Sequence, residues 1–216
     1  MPVSMILKQL GSGMIVSIEI FFLTLLFALP LGLIVSFGRM SKNSLLRGFV
    51  KIYIAIMRGT HLMLQLIVVY FAPYYVLGIK IAQSYRFVAT IIAFSINYAA
   101  YFAEIYRAGI ESIPVGQYEA AKVLGYNKVQ TFFKIIMPQV IKRILPPVTN
   151  ETITLVKDTS LAFVIAVTEM FTIAKQISAK EANVMPLMVA GVFYFIFNYL
   201  VAFFMEYLEK KTSYYK

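Results

Sequence analysis

The sequence has no cysteine, no tryptophan, a single histidine, and few charged residues. Without cysteine, neither a disulfide nor a catalytic thiolate can form, and the lone His61 argues against a histidine-built metal site. Only 14% of the 216 residues are charged, whereas soluble domains average roughly a quarter. We therefore expect no metal site and no catalytic residues in this chain. The low charge content also argues against a soluble domain.

Apolar residues fill most of the chain. They make up 60% of the sequence, and the mean hydropathy is +0.77. Because a membrane-spanning helix needs ~20 residues, the length allows five or six spans and no second folded domain. The sequence predicts an all-α polytopic membrane protein with a single transmembrane domain over 1–216. Five apolar stretches are its predicted transmembrane helices, at about 13–38, 52–77, 87–106, 147–170 and 186–208.

The basic residues, which give the chain a net charge of +10, indicate its orientation in the membrane. The basic residues are scattered beside the apolar stretches and are not gathered on one face, which argues against a nucleic-acid partner. Thirteen lie on one side of the predicted spans and five on the other, and two fall inside spans. Because basic flanks prefer the cytoplasm, we expect an outside N-terminus, a cytoplasmic loop over 111–143 and a cytoplasmic C-terminus. The start of the chain lacks the pattern of a cleaved signal peptide, so the first span is expected to be retained.

A soluble-looking segment lies inside that basic loop. It reads Glu-Ala-Ala-Lys-Val-Leu-Gly-Tyr over 119–126. Glu119 is expected early in a short helix, Ala120 and Ala121 favour that helix and give it a smooth face, and Gly125 can end it in the left-handed conformation. Such a helix is suited to fit the groove of a partner protein.

Four further segments accompany it, at 58–66, 97–107, 112–117 and 150–161. Together with the docking segment they resemble the permease subunits of ATP-binding-cassette (ABC) importers for polar amino acids, over roughly residues 10–210. The Arg-Gly-Thr and Lys-Asp-Thr-Ser sequences in these segments narrow the resemblance to amino acid carriers. His61 stands where relatives commonly have proline, so a local helix break is not carried over to that position.

The resemblance implies an assembly in the cell membrane. It implies a second permease subunit, expected to be an identical copy, two ATPase subunits that bind ATP and Mg, and an extracytoplasmic binding protein that delivers the amino acid. The segment with Glu119, Ala120, Ala121 and Gly125 would dock the ATPase. The chain itself would bind no cofactor and catalyse no bond chemistry.

Polar residues inside the predicted spans form two helical faces. Glu151, Thr154 and Asp158 are spaced i, i+3, i+7, and Asn97 and Glu104 are seven apart on the preceding span. Seven residues correspond to ~10 Å along a helix, so the two faces can meet in register. Charged groups inside a span usually face a cavity or the protein interior. We expect these residues to bind substrate, with an amide added from the second span. The six are Glu151, Asp158, Asn97, Glu104, Thr154 and Gln65.

Alternatives remain open for several of these acids and for the function. Glu104 could simply pair with Arg107 at i, i+3, and Lys157 and Asp158 could form a structural charge pair between the two permease copies. The excess of acids over bases favours a cationic amino acid, namely arginine, lysine or histidine, over a neutral one such as glutamine. A secondary transporter working alone is a further alternative, although no internal repeat is visible.

Overall fold

The computed structural model describes residues 2–212, which are almost entirely helical and contain no strand. The predicted all-α fold is therefore confirmed for this part of the chain. The helices in chain order are α1 (Val3–Arg39), α2 (Ser44–Gly59), α3 (Leu62–Leu77), α4 (Tyr85–Glu111), α5 (Val115–Val123), α6 (Lys128–Thr131), α7 (Met137–Asp158), α8 (Met170–Glu181) and α9 (Met185–Thr212). A π-helical turn, Phe132–Ile136, joins α6 to α7, and a 3-10 segment, Thr159–Ile165, follows α7.

Three helices are long and apolar enough to cross a membrane by themselves. They are α1, α4 and α9, and the number of spans rises to five if two bent helix pairs each count as one. α4 is the most buried of the three, whereas α9 turns most of its apolar surface outward. Its exposed side chains include Phe195, Phe203 and Phe204, as expected for a helix that faces lipid.

The packing of α1 against α4 forms the centre of the fold. Gly32 of α1 lies so close to α4 that an added Cβ would stand 2.8 Å from Cβ of Phe102 and 3.1 Å from the carbonyl oxygen of Ala99. Around this contact, fully buried side chains such as Ile20, Phe94 and Phe102 form the main apolar core. This close contact with α1 fixes the position of α4, and with it the position of the polar face of α4.

The second predicted span, 52–77, consists of two helices. α2 begins earlier, at Ser44, and α2 and α3 meet at a bend of 112° after Gly59. The break keeps its polar groups satisfied, because the Thr60 hydroxyl donates to the Ile56 carbonyl and the His61 ring nitrogen accepts from the Met63 amide. A histidine therefore caps the new helix at the position where the resemblance expects proline.

The fourth predicted span, 147–170, is also divided. α7 starts ten residues earlier at Met137, so Pro146 and Pro147 lie inside it and not at its beginning. The α-helix ends at Asp158, and after the 3-10 segment Ala166 takes a left-handed conformation with φ of 57°. α8 then leaves at 58° to the preceding helix. The apolar composition of this stretch concealed the change of direction.

Candidate functional site

A polar cavity opens between the α2–α3 bend, α4 and α7, with a volume of about 390 Å³. Glu151, Thr154 and Asp158 of α7 all line it, and they face Asn97 of α4. The structure thus brings together four of the six residues predicted as substrate-binding. We call this space the carboxylate cavity; its full lining is Thr60, His61, Leu62, Asn97, Tyr98, Tyr101, Glu151, Thr154, Asp158 and Leu161.

The two acids of the carboxylate cavity differ in their partners. Tyr98 donates a hydrogen bond of 2.7 Å to a carboxylate oxygen of Asp158, which ties α4 to α7 across the cavity. Glu151 is half-buried and accepts no hydrogen bond and forms no ion pair within residues 2–212. Lys157 and Asp158 form no ion pair with each other within residues 2–212, and a charge pair between two permease copies stays a prediction. Glu151 therefore has its full acceptor capacity available to a ligand.

The two predicted amides support the α2–α3 bend. Asn97 donates hydrogen bonds to the Met57 carbonyl at 3.0 Å and to the side-chain oxygen of Gln65 at 2.9 Å. Gln65 in turn donates to the Met57 carbonyl at 3.0 Å and to the Thr60 hydroxyl at 2.7 Å. Asn97 still lines the carboxylate cavity, but Gln65 does not. Gln65 holds the backbone carbonyl groups that the end of α2 leaves without helical partners.

A second cavity adjoins the first one toward the C-terminal end of α4, with a volume of about 570 Å³. Tyr101 and Glu151 line both cavities, so the two spaces meet at these side chains. We call it the arginine cavity; its lining is Arg58, Tyr101, Glu104, Ile105, Arg107, Ala108, Gly109, Ser112, Arg143, Pro147 and Glu151.

Glu104 lies in the wall of the arginine cavity within a network of charges. Its carboxylate receives Arg107 at 2.7 Å, and Arg39 of α1 lies 3.6 Å away. Arg107 also bonds Glu111 at 2.5 Å. The i, i+3 pairing considered from the sequence is thus what the contacts show. Because two arginines neutralise Glu104, its charge is less available to a ligand than that of Glu151.

Arg58, Tyr98 and Tyr101 are among the lining side chains that sequence reasoning did not predict as site residues. Arg58 places its guanidinium 5.3 Å from the centre of the Tyr101 ring, a cation–π contact between α2 and α4. The sequence does single out Arg58, because an arginine inside an apolar stretch is energetically unfavourable and usually has a function. Tyr101 follows Asn97 at i+4 and Tyr98 is the next residue, but aromatic residues are so common in spans that their positions alone do not distinguish them.

Glu169 is a fully buried acid with a structural role. It caps α8, and its carboxylate accepts hydrogen bonds of 2.7 Å from the amides of Phe171 and Thr172. The Tyr194 hydroxyl of α9 adds a bond of 3.1 Å, and Ser17 of α1 lies at 3.4 Å. Since these donors satisfy the carboxylate, this residue joins α1, α8 and α9 and lines neither cavity.

The segment predicted to dock a partner forms the short helix α5, Val115–Val123. Glu119 lies at its centre, so the prediction that it sits early in the helix is wrong; the helix starts at Val115, directly after Pro114. Ala121 is buried and Ala120 is exposed, so the two alanines do not form one common face. Gly125 takes the predicted left-handed conformation, with φ of 78°.

The surface around α5 is apolar and uncovered. Val123 is 88% exposed and Leu124 73% exposed. α5 is tied to the rest of the chain by a hydrogen bond of 3.1 Å between the side chains of Gln139 and Gln117. An exposed apolar patch of this kind commonly marks a surface that another protein covers.

Known proteins resemble this chain over nearly its whole length. Residues 28–214 match the family described as "Binding-protein-dependent transport system inner membrane component". The putative glutamine transport system permease protein of Rickettsia conorii is 34% identical over 200 residues, which is 92% of this chain and 90% of that protein. The arginine transport system permease protein of Bacillus subtilis is 36% identical over 205 residues, 93% of this chain and 91% of that protein.

A solved structure shares the fold. The crystal structure of an amino acid ABC transporter with histidines contains a chain that superimposes with a TM-score of 0.85 at 30% identity. The match covers 94% of each chain.

Proposed function

Because the chain belongs to the family of inner membrane components of binding-protein-dependent transport systems and is the permease subunit of an amino acid ABC importer, we propose that it carries a cationic amino acid. The candidates are arginine, lysine and histidine. The observation that supports this proposal is the lining of the carboxylate cavity, which contains Glu151 and Asp158 but no lysine or arginine.

The charge of the carboxylate cavity is suited to a cation. Burying an unpaired carboxylate is unfavourable, and a guanidinium or ammonium group that entered the cavity would compensate for it. Glu151 is the better candidate partner, because Asp158 already accepts from Tyr98. Thr154 and Asn97 supply the polar groups that orient the remainder of a ligand.

A neutral polar amino acid such as glutamine is the second candidate. The relatives reported above are named for glutamine and for arginine transport, so family membership does not separate the two. Hydroxyl and amide groups of Thr60, Thr154 and Asn97 could serve a carboxamide side chain. Membership of an importer family argues against the third alternative, a secondary transporter that works alone.

Glu151→Gln separates the two candidates. The substitution keeps size and hydrogen bonding but removes the charge, so we expect it to weaken arginine far more than glutamine. Loss of a charge-assisted hydrogen bond corresponds to ~1.5–3 kcal/mol, or roughly ten- to a hundredfold in affinity. The measurement is uptake in proteoliposomes containing the permease with its ATPase, with the binding protein saturated so that its own preference does not mask the membrane step.

Glu206→Gln is the matched control for this experiment. Glu206 is an exposed acid of α9 that lines neither cavity, so uptake should stay at the parental level. If arginine uptake by Glu151→Gln equals that of the parent under these conditions, Glu151 is a structural acid and the cationic assignment loses its main support.

We further propose that α5 docks the ATPase on the cytoplasmic side. The excess of basic residues beside this loop supports a cytoplasmic location, and this orientation places the N-terminus outside and the C-terminus inside. ATP and Mg would bind to the partner ATPase, and the binding protein would approach from the opposite side. The exposed Val123 and Leu124 beside Gly125 supply the apolar contact that a partner could cover.

The cavities in a single chain are open to their surroundings, so we propose that two identical permease chains enclose the pathway. Most closed oligomers are cyclic, and a two-fold axis normal to the membrane would allow each copy to bind one ATPase. Mass determination of the detergent-purified complex should give two permease and two ATPase chains. A complex with one permease chain would contradict this arrangement.

A further inference from the structure

Arg58 differs from the other two arginines of the arginine cavity in the partners of its guanidinium group. Arg107 is neutralised by acids of its own helix, and Arg143 donates to both the carbonyl and the hydroxyl oxygen of Ser112. Within residues 2–212, no carboxylate lies at ion-pair distance from Arg58. Its contact is the face of the Tyr101 ring, which leaves its N–H donors available to an anion.

The backbone around Arg58 is held in place. Asn97 and Gln65 both donate to the carbonyl of the preceding residue, Met57, at 3.0 Å. Gln65 also donates to the carbonyl of Thr60 at 3.3 Å. The two predicted site amides therefore fix the end of α2, and with it the point from which the arginine extends into the cavity. Because the backbone at this point is already ordered before a ligand binds, less conformational entropy is lost on binding.

Acceptors stand in the same cavity as Arg58. Glu104 and Glu151 both line it, and Glu151 accepts no hydrogen bond and forms no ion pair within residues 2–212. A cationic donor and a carboxylate around a cavity of about 570 Å³ match the charge pattern of a zwitterion, and the volume lies within the range of small-molecule sites.

We propose that the arginine cavity is a second amino acid site, in which Arg58 binds the α-carboxylate of the substrate. The two cavities share Tyr101 and Glu151, so a ligand that leaves the carboxylate cavity can reach Arg58 without crossing an apolar layer. This inference rests on one part of the proposed function, namely that the ligand is an amino acid. The α-carboxylate is common to arginine and glutamine, so the role of Arg58 does not depend on which of them is carried.

The test uses the complete permease–ATPase complex in lipid nanodiscs without the binding protein. Equilibrium binding of radiolabelled L-arginine is competed with unlabelled L-arginine or with agmatine, which is arginine without its α-carboxylate. We expect the parent to prefer arginine to agmatine. Arg58→Gln should reduce arginine affinity about ten- to a hundredfold, the effect of losing a charged hydrogen bond, and leave agmatine affinity unchanged. Arg58→Lys should retain part of the preference, because it keeps the charge.

Arg47→Gln is the matched control, since Arg47 is an exposed arginine of the same helix that lines neither cavity. If Arg58→Gln keeps the parental preference for arginine over agmatine, or if the parent shows no saturable binding of arginine or glutamine, the proposal is overturned. Failure of the cationic assignment has a different signature. Labelled L-glutamine would then bind in place of arginine, Glu151→Gln would leave its affinity unchanged, and Arg58→Gln would still lower it.

Discussion

Gly13→Val should prevent the chain from forming a stable, monodisperse protein. A Cβ at Gly13 would stand 2.8 Å from Cα and 2.9 Å from the amide nitrogen of Met170, and 2.7 Å from the Ile173 side chain. Two of these are backbone atoms that cannot rotate away. Met170 is the first residue of α8, and the buried Glu169 cap holds it against α1. Overpacking of a core usually destabilises by ~1–3 kcal/mol, and we expect a loss at or above the upper end.

The measurement is thermal unfolding and size-exclusion behaviour of the purified variant in detergent. Gly11→Val is the matched control, because it changes helix propensity in the same way at a site with no atom within 4 Å of the added Cβ. It should leave both observations close to the parent. Equal melting temperatures for the two variants would show that α1 and α8 do not depend on this close contact.

Gly125→Val should weaken the docking of the ATPase and its substrate-stimulated hydrolysis while leaving membrane insertion intact. Gly125 has φ of 78°, and no atom lies within 4 Å of an added Cβ, so the change acts through the backbone alone. The left-handed conformation is unfavourable by roughly 1–2 kcal/mol for L residues other than glycine, and more so for a β-branched one. The end of α5 would rearrange, and we expect substrate-stimulated hydrolysis to fall about tenfold, the equivalent of ~1.4 kcal/mol.

Pull-down of the ATPase subunit and ATP hydrolysis stimulated by the loaded binding protein are the two readouts. Gly125→Asn is the conservative comparison, because asparagine adopts the left-handed conformation more readily than other non-glycine residues. It should restore most of the coupling. Undiminished association and hydrolysis in the valine variant would remove the basis for assigning α5 as the docking helix.

The spacing of residues predicts the polar faces of the spans, but it does not predict which side chains these faces contact. The spacing of Glu151, Thr154 and Asp158 predicts one face, and the structure places that face on one cavity. Nothing in that spacing shows that Tyr98 would bond Asp158, or that Arg58 would cross to Tyr101. Such contacts join residues far apart in sequence, and they depend on how the helices are packed.

Hydropathy does not show how far an apolar run changes direction. It averages over a window, so it does not give the bends of 112° within 52–77 and 58° within 147–170. At the first bend, amides from two helices satisfy the backbone groups that the break exposes. At the second, the side chain of Glu169 caps the new helix.

The sequence by itself determined the all-helical membrane character, the family and the short helix that ends at a left-handed Gly125. These follow from composition and from residues close together in the chain, where propensity and local geometry decide. Only the tertiary structure decided that Gln65 supports a bend, and that Glu104 is neutralised by Arg107 and Arg39. It also decided that neither Glu151 nor Arg58 forms an ion pair within residues 2–212, although both line the arginine cavity. The physical reason is that the availability of a polar group depends on every donor and acceptor within reach, and helix packing brings those groups from distant parts of the chain.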